Sequence, residues 1–228
     1  MSKIYVNCSS AIGIKFNGGI LIAADTQACS GSSIKFPNVQ RVDKVGNAAI
    51  FACSGEYADC QWVSKELNKL FQEFKLEVAQ CQAKLTPVKL HSYLTNVLYK
   101  RRSQMNPLLL STIIGGKEGN DWYLGYSDLF GTAYTEDFMA TGMGRYFAIG
   151  ILRQYHSPNM NAAQAKELAI KCLQILYLRD CGAGNNIQIG VFTDCGIEIS
   201  EPIFIETQWS HNDFYKPTIS LPLAGCQF

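Results

Sequence analysis

One acidic residue stands where chemistry would use it, at the end of an apolar strand. Asp25 follows the run Ile20–Ala24, and such a run suits a strand that is covered on both faces. A carboxylate carried into a core needs a partner, because an unpaired buried charge is costly. Two interpretations remain open on this pattern alone. The ordinary one is a capped strand end, and the other is a charged group held at a functional site.

The other residue types that could support chemistry form no ligand pattern. The three histidines, His91, His156 and His211, lie far apart, and the nine cysteines include no CxxC pair. This spacing predicts neither a zinc site nor a disulfide framework, and it is typical of a reducing compartment. We therefore expect no metal and no cofactor.

Composition and charge narrow the class of protein. The chain has 228 residues, 47% hydrophobic and 17% charged, which predicts one domain with a large core. Its net charge is +1 and its longest basic run is Lys100-Arg101-Arg102, which argues against nucleic acid as a partner. We see no signal peptide and no apolar run of membrane-spanning length, so we expect an intracellular protein with no membrane contact.

A β-hairpin is predicted to deliver Asp25 to its position. Ile12–Phe16 alternates apolar residues with Gly13 and Lys15, as a strand with one apolar face does. Asn17-Gly18 is the strongest two-residue hairpin signal, because both residues tolerate positive φ. The chain then returns through Ile20–Ala24 to the carboxylate.

Strands and pairs of helices alternate along the rest of the chain. Apolar spacings of two or of three and four, together with turn and cap residues, predict these elements. They are a second hairpin over Arg41–Cys53, helices opening at Ser54-Gly55-Glu56 and at Thr86-Pro87, strands Leu108–Gly115, Trp122–Tyr126 and Gly131–Thr135, helices Gly144–Tyr155 and Asn161–Arg179, and strands Ile187–Thr193 and Gly196–Ile199.

Two antiparallel sheets stacked between two helix layers would cover every apolar face of these elements. We therefore predict an α+β fold, a four-layer αββα sandwich, formed by one domain over residues 1–205. Residues 206–228 show no clear periodicity, and their prolines disfavour a helix, so they are predicted to form an extended C-terminal arm.

Four local motifs occur in order along the chain. They are Gly18-Gly19 through Asp25, Ser54–Asp59, Gly142-Met143-Gly144 and Tyr177–Asp180. Together they resemble the beta-type subunits of the proteasome core particle, which are N-terminal nucleophile hydrolases, and this resemblance implies the same four-layer sandwich. The segment Arg101–Pro107 resembles the non-catalytic subunit at the seventh position of the beta ring.

The resemblance also implies a catalytic constellation. In active members a terminal threonine attacks a peptide carbonyl, its own amine serves as base, and a lysine, two aspartates and two serines support it. The matching positions here carry Ser9 for the nucleophile, Arg41 for the lysine, Asp25 and Asp180 for the aspartates, and Met143 and Ala183 for the serines.

These replacements predict a site that has lost its catalytic function. Ser9 keeps a hydroxyl, but its nitrogen lies in a peptide bond and cannot act as a base. Arg41 cannot release a proton at ordinary pH, although it can form an ion pair with Asp25. Met143 and Ala183 carry no hydroxyl and are interpreted as apolar filling of a vacated site.

The resemblance implies a structural subunit within a complex that degrades intracellular, ubiquitinated proteins in the cytoplasm and nucleus. Its implied partners are two lateral beta subunits, an alpha-ring subunit, and beta subunits of the opposite ring, which it would reach through Trp209–Phe228. One alternative is an active peptidase subunit in which processing exposes Ser9. Another is an alpha-ring subunit, but the residues before Ile12 leave no room for the N-terminal helix of that class.

Overall fold

A computed structural model describes residues 5–78 and 84–209 of the chain, and these residues fold into two β-sheets and two helix layers. The strands are β1 (Asn7–Cys8), β2 (Ala11–Phe16), β3 (Gly19–Asp25), β4 (Ala28–Ser30), β5 (Ser33–Phe36), β6 (Val42–Val45), β7 (Ala49–Glu56), β8 (Leu110–Glu118), β9 (Asp121–Asp128), β10 (Ala133–Thr135), β11 (Phe138–Ala140), β12 (Asn186–Thr193), β13 (Gly196–Ile199) and β14 (Ile203–Phe204). The helices are α1 (Tyr57–Val78), α2 (Pro87–Ser103), α3 (Gly144–Phe147), α4 (Ile149–Tyr155) and α5 (Ala162–Arg179).

Both sheets are antiparallel. The larger one has the order β10-β9-β8-β7-β1-β4-β5, with β6 also paired to β7. The smaller one has the order β11-β2-β3-β12-β13, with β14 also paired to β12. The predicted hairpin of β2 and β3 has Phe16 opposite Gly19 and Ala11 opposite Ala24, so Asp25 lies at the end of a central strand. The predicted α+β class, with its four-layer αββα sandwich, is confirmed.

Three apolar layers hold the sandwich together. The continuous apolar run of β3 is explained by the burial of both of its faces. Leu21 and Ala23 pack toward α5, while Ile20 and Ile22 pack between the sheets. The third layer lies between the larger sheet and helices α1 and α2. The sheets approach closely at Gly13, where an added Cβ would lie 2.8 Å from Ile113.

Local signals correctly located the starts of α2 and α5. Thr86 caps α2 by accepting a hydrogen bond from the backbone nitrogen of Lys89 at 3.4 Å. Asn161 and Gln164 form the predicted capping box at α5, with both hydrogen bonds at 2.9 Å. These predictions succeeded because a cap needs only residues that are three positions apart.

The structure also differs from the predicted elements. Helix α1 begins at Tyr57, because β7 continues through Glu56. The predicted helix Gly144–Tyr155 is divided into α3 and α4 at Ala148, whose φ of −89° and ψ of −30° stay near helical values. The short strands β1, β4, β5, β11 and β14 were not predicted, since two to four residues are too few to show a period of two.

The buried His91 gives the fold an acid sensitivity that can be measured. Its Nδ1 lies 2.6 Å from the Tyr123 hydroxyl and its Nε2 lies 2.9 Å from the Tyr126 carbonyl oxygen. Burial lowers the pKa of His91 from 6.5, and the hydrogen bond to Tyr126 opposes that shift. Below about pH 6.5, His91 therefore binds a proton more readily in the unfolded chain than in the folded chain.

We expect this group to stabilise the fold above about pH 6.5 and to lose that contribution as the pH falls, by up to about 1.4 kcal/mol per pH unit. The free energy of unfolding of the parent and of a His91→Gln variant should be compared between pH 7.5 and 5.5 by denaturant titration. The two stabilities should converge on acidification. Parallel curves would contradict the assignment.

Candidate functional site

A buried ion pair forms the centre of the candidate site. Asp25 ends β3, and Arg41 directly precedes β6. Arg41 Nη1 donates to Asp25 Oδ1, and the two side chains are only 1% and 3% exposed, respectively. The ion pair that the sequence analysis allowed is therefore present, and both of its side chains are buried.

The Arg41 guanidinium also binds three backbone carbonyl groups. Its Nη1 donates to the carbonyl oxygen of Asp25 at 3.2 Å. Its Nη2 donates to the carbonyl oxygens of Ser9 at 2.8 Å and of Cys53 at 3.0 Å. These contacts join the segments before β2, at the end of β3 and within β7, so Arg41 acts as a fixed crosslink between both sheets.

The second carboxylate oxygen of Asp25 is satisfied by backbone. Its Oδ2 accepts hydrogen bonds from the nitrogens of Gly184 at 2.9 Å and Gln27 at 3.2 Å. Burial raises the pKa of the Asp25 carboxyl, and the Arg41 guanidinium opposes that shift. Burial alone would lower the pKa of Arg41, but the Asp25 carboxylate holds it above its ordinary value, so the guanidinium stays charged and cannot relay a proton.

Ser9 and Asp180 form a second contact beside the ion pair. The Ser9 hydroxyl donates to Asp180 Oδ2, and Asp180 Oδ1 accepts from the nitrogen of Gly182 at 2.9 Å. The fold thus brings Ser9 and Asp180 together with Asp25 and Arg41, as the matched positions predicted. This arrangement can orient the serine hydroxyl, while the nitrogen of Ser9 remains in the peptide bond to the preceding strand.

The two hydroxyl-lacking positions differ in location. Ala183 is buried, and its nitrogen donates to the carbonyl oxygen of Asp180 at 3.0 Å, as expected for apolar filling. The same prediction is wrong for Met143, which is 40% exposed. The buried Ser10 hydroxyl accepts from the nitrogen of Gly144 at 2.8 Å and occupies the inner side of this turn, so Met143 lies outside it.

Sequence reasoning missed two hydroxyl groups that hold this turn in place. Ser10 bonds the start of α3, as described, and Thr141 Oγ1 accepts from the nitrogen of Ala11 at 2.8 Å. The Ser9-Ser10 doublet was a weak signal for the first group. Nothing in the sequence pattern indicated Thr141, because its partner is 130 residues away.

A surface cleft of about 400 Å³ opens over these groups. It has charged groups on Asp180 and Arg145 and an apolar wall that includes Leu109, Leu129 and Tyr146. Met143 forms part of its rim. The cleft could hold a short segment of polypeptide, but its floor presents the Ser9 hydroxyl without an adjacent free amine.

Over residues 5–78 and 84–209, no three histidine, cysteine, aspartate or glutamate side chains are grouped so as to hold a metal ion. Within the same ranges, no helix combines the length and apolar character needed to cross a membrane.

Comparison with known proteins gives a consistent result. A family model described as proteasome subunit matches residues 5–192. The chain is 36% identical to proteasome subunit beta type-4 of Xenopus laevis, over 90% of this chain and 84% of that protein. It is 32% identical to beta type-4 of Arabidopsis thaliana, over 94% and 86% respectively. It is 30% identical to beta type-7 of Saccharomyces cerevisiae, over 92% and 82%.

Proposed function

Because this chain belongs to the proteasome subunit family, as a beta-type subunit of the 20S core, we propose that it is a non-catalytic subunit with a structural role. In this role it holds neighbouring subunits that cleave peptides. The support comes from the segment before Ser9, from Arg41 and from the C-terminal segment.

The pairing of strand β1 within the larger sheet is the main support for this proposal. Asn7 and Cys8 pair with β4 on one side and with β7 on the other, so β1 connects the hairpin of β4 and β5 to the rest of the larger sheet. Cys8 is buried against Ala28 and Val39. Cleavage that frees the amine of Ser9 would detach this strand, and a terminal-amine mechanism therefore conflicts with the integrity of the sheet.

The fixed charge of Arg41 supports the same conclusion. A catalytic lysine must change its protonation or tune that of an amine, whereas Arg41 is held by Asp25 and three carbonyl groups. The site thus retains an ion pair that stabilises the fold, without the group that would move a proton.

We further propose a place for the subunit in the particle. The resemblance of Arg101–Pro107 supports the seventh position of the beta ring, while the relatives carry the names beta type-4 and beta type-7. Its neighbours would be two lateral beta subunits, an alpha-ring subunit and beta subunits of the opposite ring. The particle would degrade ubiquitinated proteins in the cytoplasm and nucleus.

The described start of the C-terminal arm supports a contact between rings. The chain at Glu206 contacts α5, since the carbonyl oxygen of Glu206 accepts a hydrogen bond from Gln174 Nε2 at 3.4 Å. Trp209 packs edge-on against Tyr177 with ring centroids 5.5 Å apart, yet it is 66% exposed. A large aromatic ring that its own domain covers only in part fits burial by another chain. The remainder of the predicted arm, residues 210–228, lies outside the described residues.

One contact favours the alternative of an active peptidase subunit. The hydrogen bond from Ser9 to the Asp180 carboxylate orients a hydroxyl at the floor of a cleft. This alternative requires processing between Cys8 and Ser9, and intact mass of the chain from assembled particles would reveal an N-terminus at Ser9.

The proposal predicts that Ser9 forms no covalent adduct. Assembled particles should be treated with a threonine-directed covalent inhibitor and analysed by intact mass of each subunit, with the adducts on the active subunits as the positive control. Particles carrying Ser9→Ala should hydrolyse peptides as fast as the parent. An adduct on Ser9, or a loss of peptidase activity on its replacement, would favour the peptidase alternative.

A further inference from the structure

The turn that ends α2 has an unusual residue at its tip. Across residues 5–78 and 84–209, Met105 is the one non-glycine residue with positive φ, at 56°. The nitrogens of Met105 and Asn106 donate to the carbonyl oxygens of Arg102 and Arg101, both at 3.1 Å. This is the helix-ending turn in which glycine is preferred, because a side chain is strained at its left-handed position.

The side chain of Met105 gains nothing from the folded chain in return for this strain. It is 91% exposed, so a long apolar group projects into solvent from a position that favours glycine. A protein that folded only for its own stability would have a better residue here. The exposed methionine therefore indicates a contact that is made outside this chain.

Two cation–ring pairs involve arginines of the last turn of α2, which directly precedes Met105. The guanidinium of Arg101 lies 5.7 Å from the centre of the Trp62 ring, and that of Arg102 lies 5.8 Å from the centre of the Tyr99 ring. Trp62 and Tyr99 are themselves exposed, and so is Phe130, whose neighbour in the chain, Gly131, packs against Tyr99. We name these residues the α2-end surface; its members are Trp62, Tyr99, Arg101, Arg102, Met105 and Phe130.

The positive charge of this surface is not neutralised by the described part of the chain. The ion pairs among the described residues involve neither Arg101 nor Arg102. The Nε of Arg101 is buried and has no hydrogen-bond partner among those residues. Cations near a helix C-terminus favour their own helix dipole, but that effect does not account for an exposed methionine or for three exposed rings.

We propose that the α2-end surface docks a neighbouring subunit of the particle that presents carboxylates around an apolar pocket. The pocket takes Met105, and the carboxylates pair with Arg101 and Arg102. Aromatic rings and arginines are the residue types that contribute most to protein interfaces, and complementary charge sets the orientation of the partners. This inference rests on the proposed function, since it assumes that the chain is assembled with other subunits.

The test is a competition between the parent chain and a variant inside assembled particles. The two full-length chains carry different tags and are expressed together, and their ratio is measured by mass spectrometry in the soluble pool and in the particles. With Arg102→Glu, the ratio in particles relative to the pool should fall at least about tenfold, equivalent to about 1.4 kcal/mol. Lys44→Glu reverses an exposed charge elsewhere and should leave the ratio near one.

A second variant separates docking from folding. Met105→Gly relieves the strained turn, so the thermal midpoint of the isolated full chain should equal or exceed that of the parent. Its share in particles should nevertheless fall several-fold. If both variants enter particles as well as the parent does, the docking inference is overturned while the proposed function stands. If the parent chain itself fails to enter particles, the proposed function is overturned.

Discussion

Replacing Arg41 with methionine is expected to destabilise the chain by about 3–5 kcal/mol, because it leaves the buried Asp25 carboxylate without its counter-charge. The same change removes the hydrogen bonds that Arg41 donates to the carbonyl oxygens of Ser9 and Cys53. Methionine fills much of the volume, so the loss should come from unpaired polar groups rather than from a cavity.

Denaturant titration of the full chain would measure this loss, and its pH dependence provides a further check. Burial raises the pKa of Asp25, and without Arg41 only the backbone hydrogen bonds from Gly184 and Gln27 still oppose that shift. Protonated Asp25 suits the apolar site, so the stability of Arg41→Met should recover as the pH falls and be lowest when Asp25 is ionised. The double variant Asp25→Asn with Arg41→Met should be more stable at neutral pH than Arg41→Met alone. A single variant that unfolds at the same denaturant concentration as the parent would show that the pair is not needed.

Deleting residues 210–228 is expected to shift particles from complete double rings toward half-assemblies. The described domain reaches its last buried residue at Ile205, and the arm begins along α5 with Trp209 largely exposed. The deleted segment carries Phe214, Tyr215 and Phe228, which are suitable anchors for a surface of the opposite ring. Loss of these anchors should weaken the contact between rings and leave the domain itself folded.

Native mass spectrometry of purified particles would give the ratio of half to complete assemblies. A matched control keeps the arm length and replaces only Phe214, Tyr215 and Phe228 with serine. It should shift the ratio in the same direction as the deletion, because the anchors rather than the chain length are held responsible. Complete particles of unchanged thermal stability in both variants would contradict the proposed contact between the rings.

Features that depend on neighbouring residues were predictable from the sequence. The hairpin turn at Asn17-Gly18, the cap at Thr86 and the capping box at Asn161 each involve residues within four positions of one another. The continuous apolar run of β3 correctly predicted burial on both faces, because such a run has no solvent side. The order of elements then left a stacked arrangement of two sheets and two helix layers as the way to cover every apolar face.

The candidate site was predicted in part, and by resemblance rather than by pattern. Matching the positions predicted the pair of Arg41 with Asp25, which the structure shows, whereas the contact of Ser9 with Asp180 was not predicted. The resemblance could not show that Arg41 also binds the carbonyl oxygen of Cys53. The functional conclusion, a subunit without catalysis, stays a proposal to be tested on Ser9.

Tertiary structure alone decided the roles of the shortest elements. Asn7 and Cys8 carry no strand pattern, yet they form β1, because β7 and β4 each supply an unpaired edge on either side. Met143 was assigned to the interior by its apolar character, but the Ser10 hydroxyl binds the inner side of its turn and leaves it exposed. In both cases the deciding partners lie some 20 to 130 residues away, and a hydrogen bond of such range leaves no period or cap motif in the sequence.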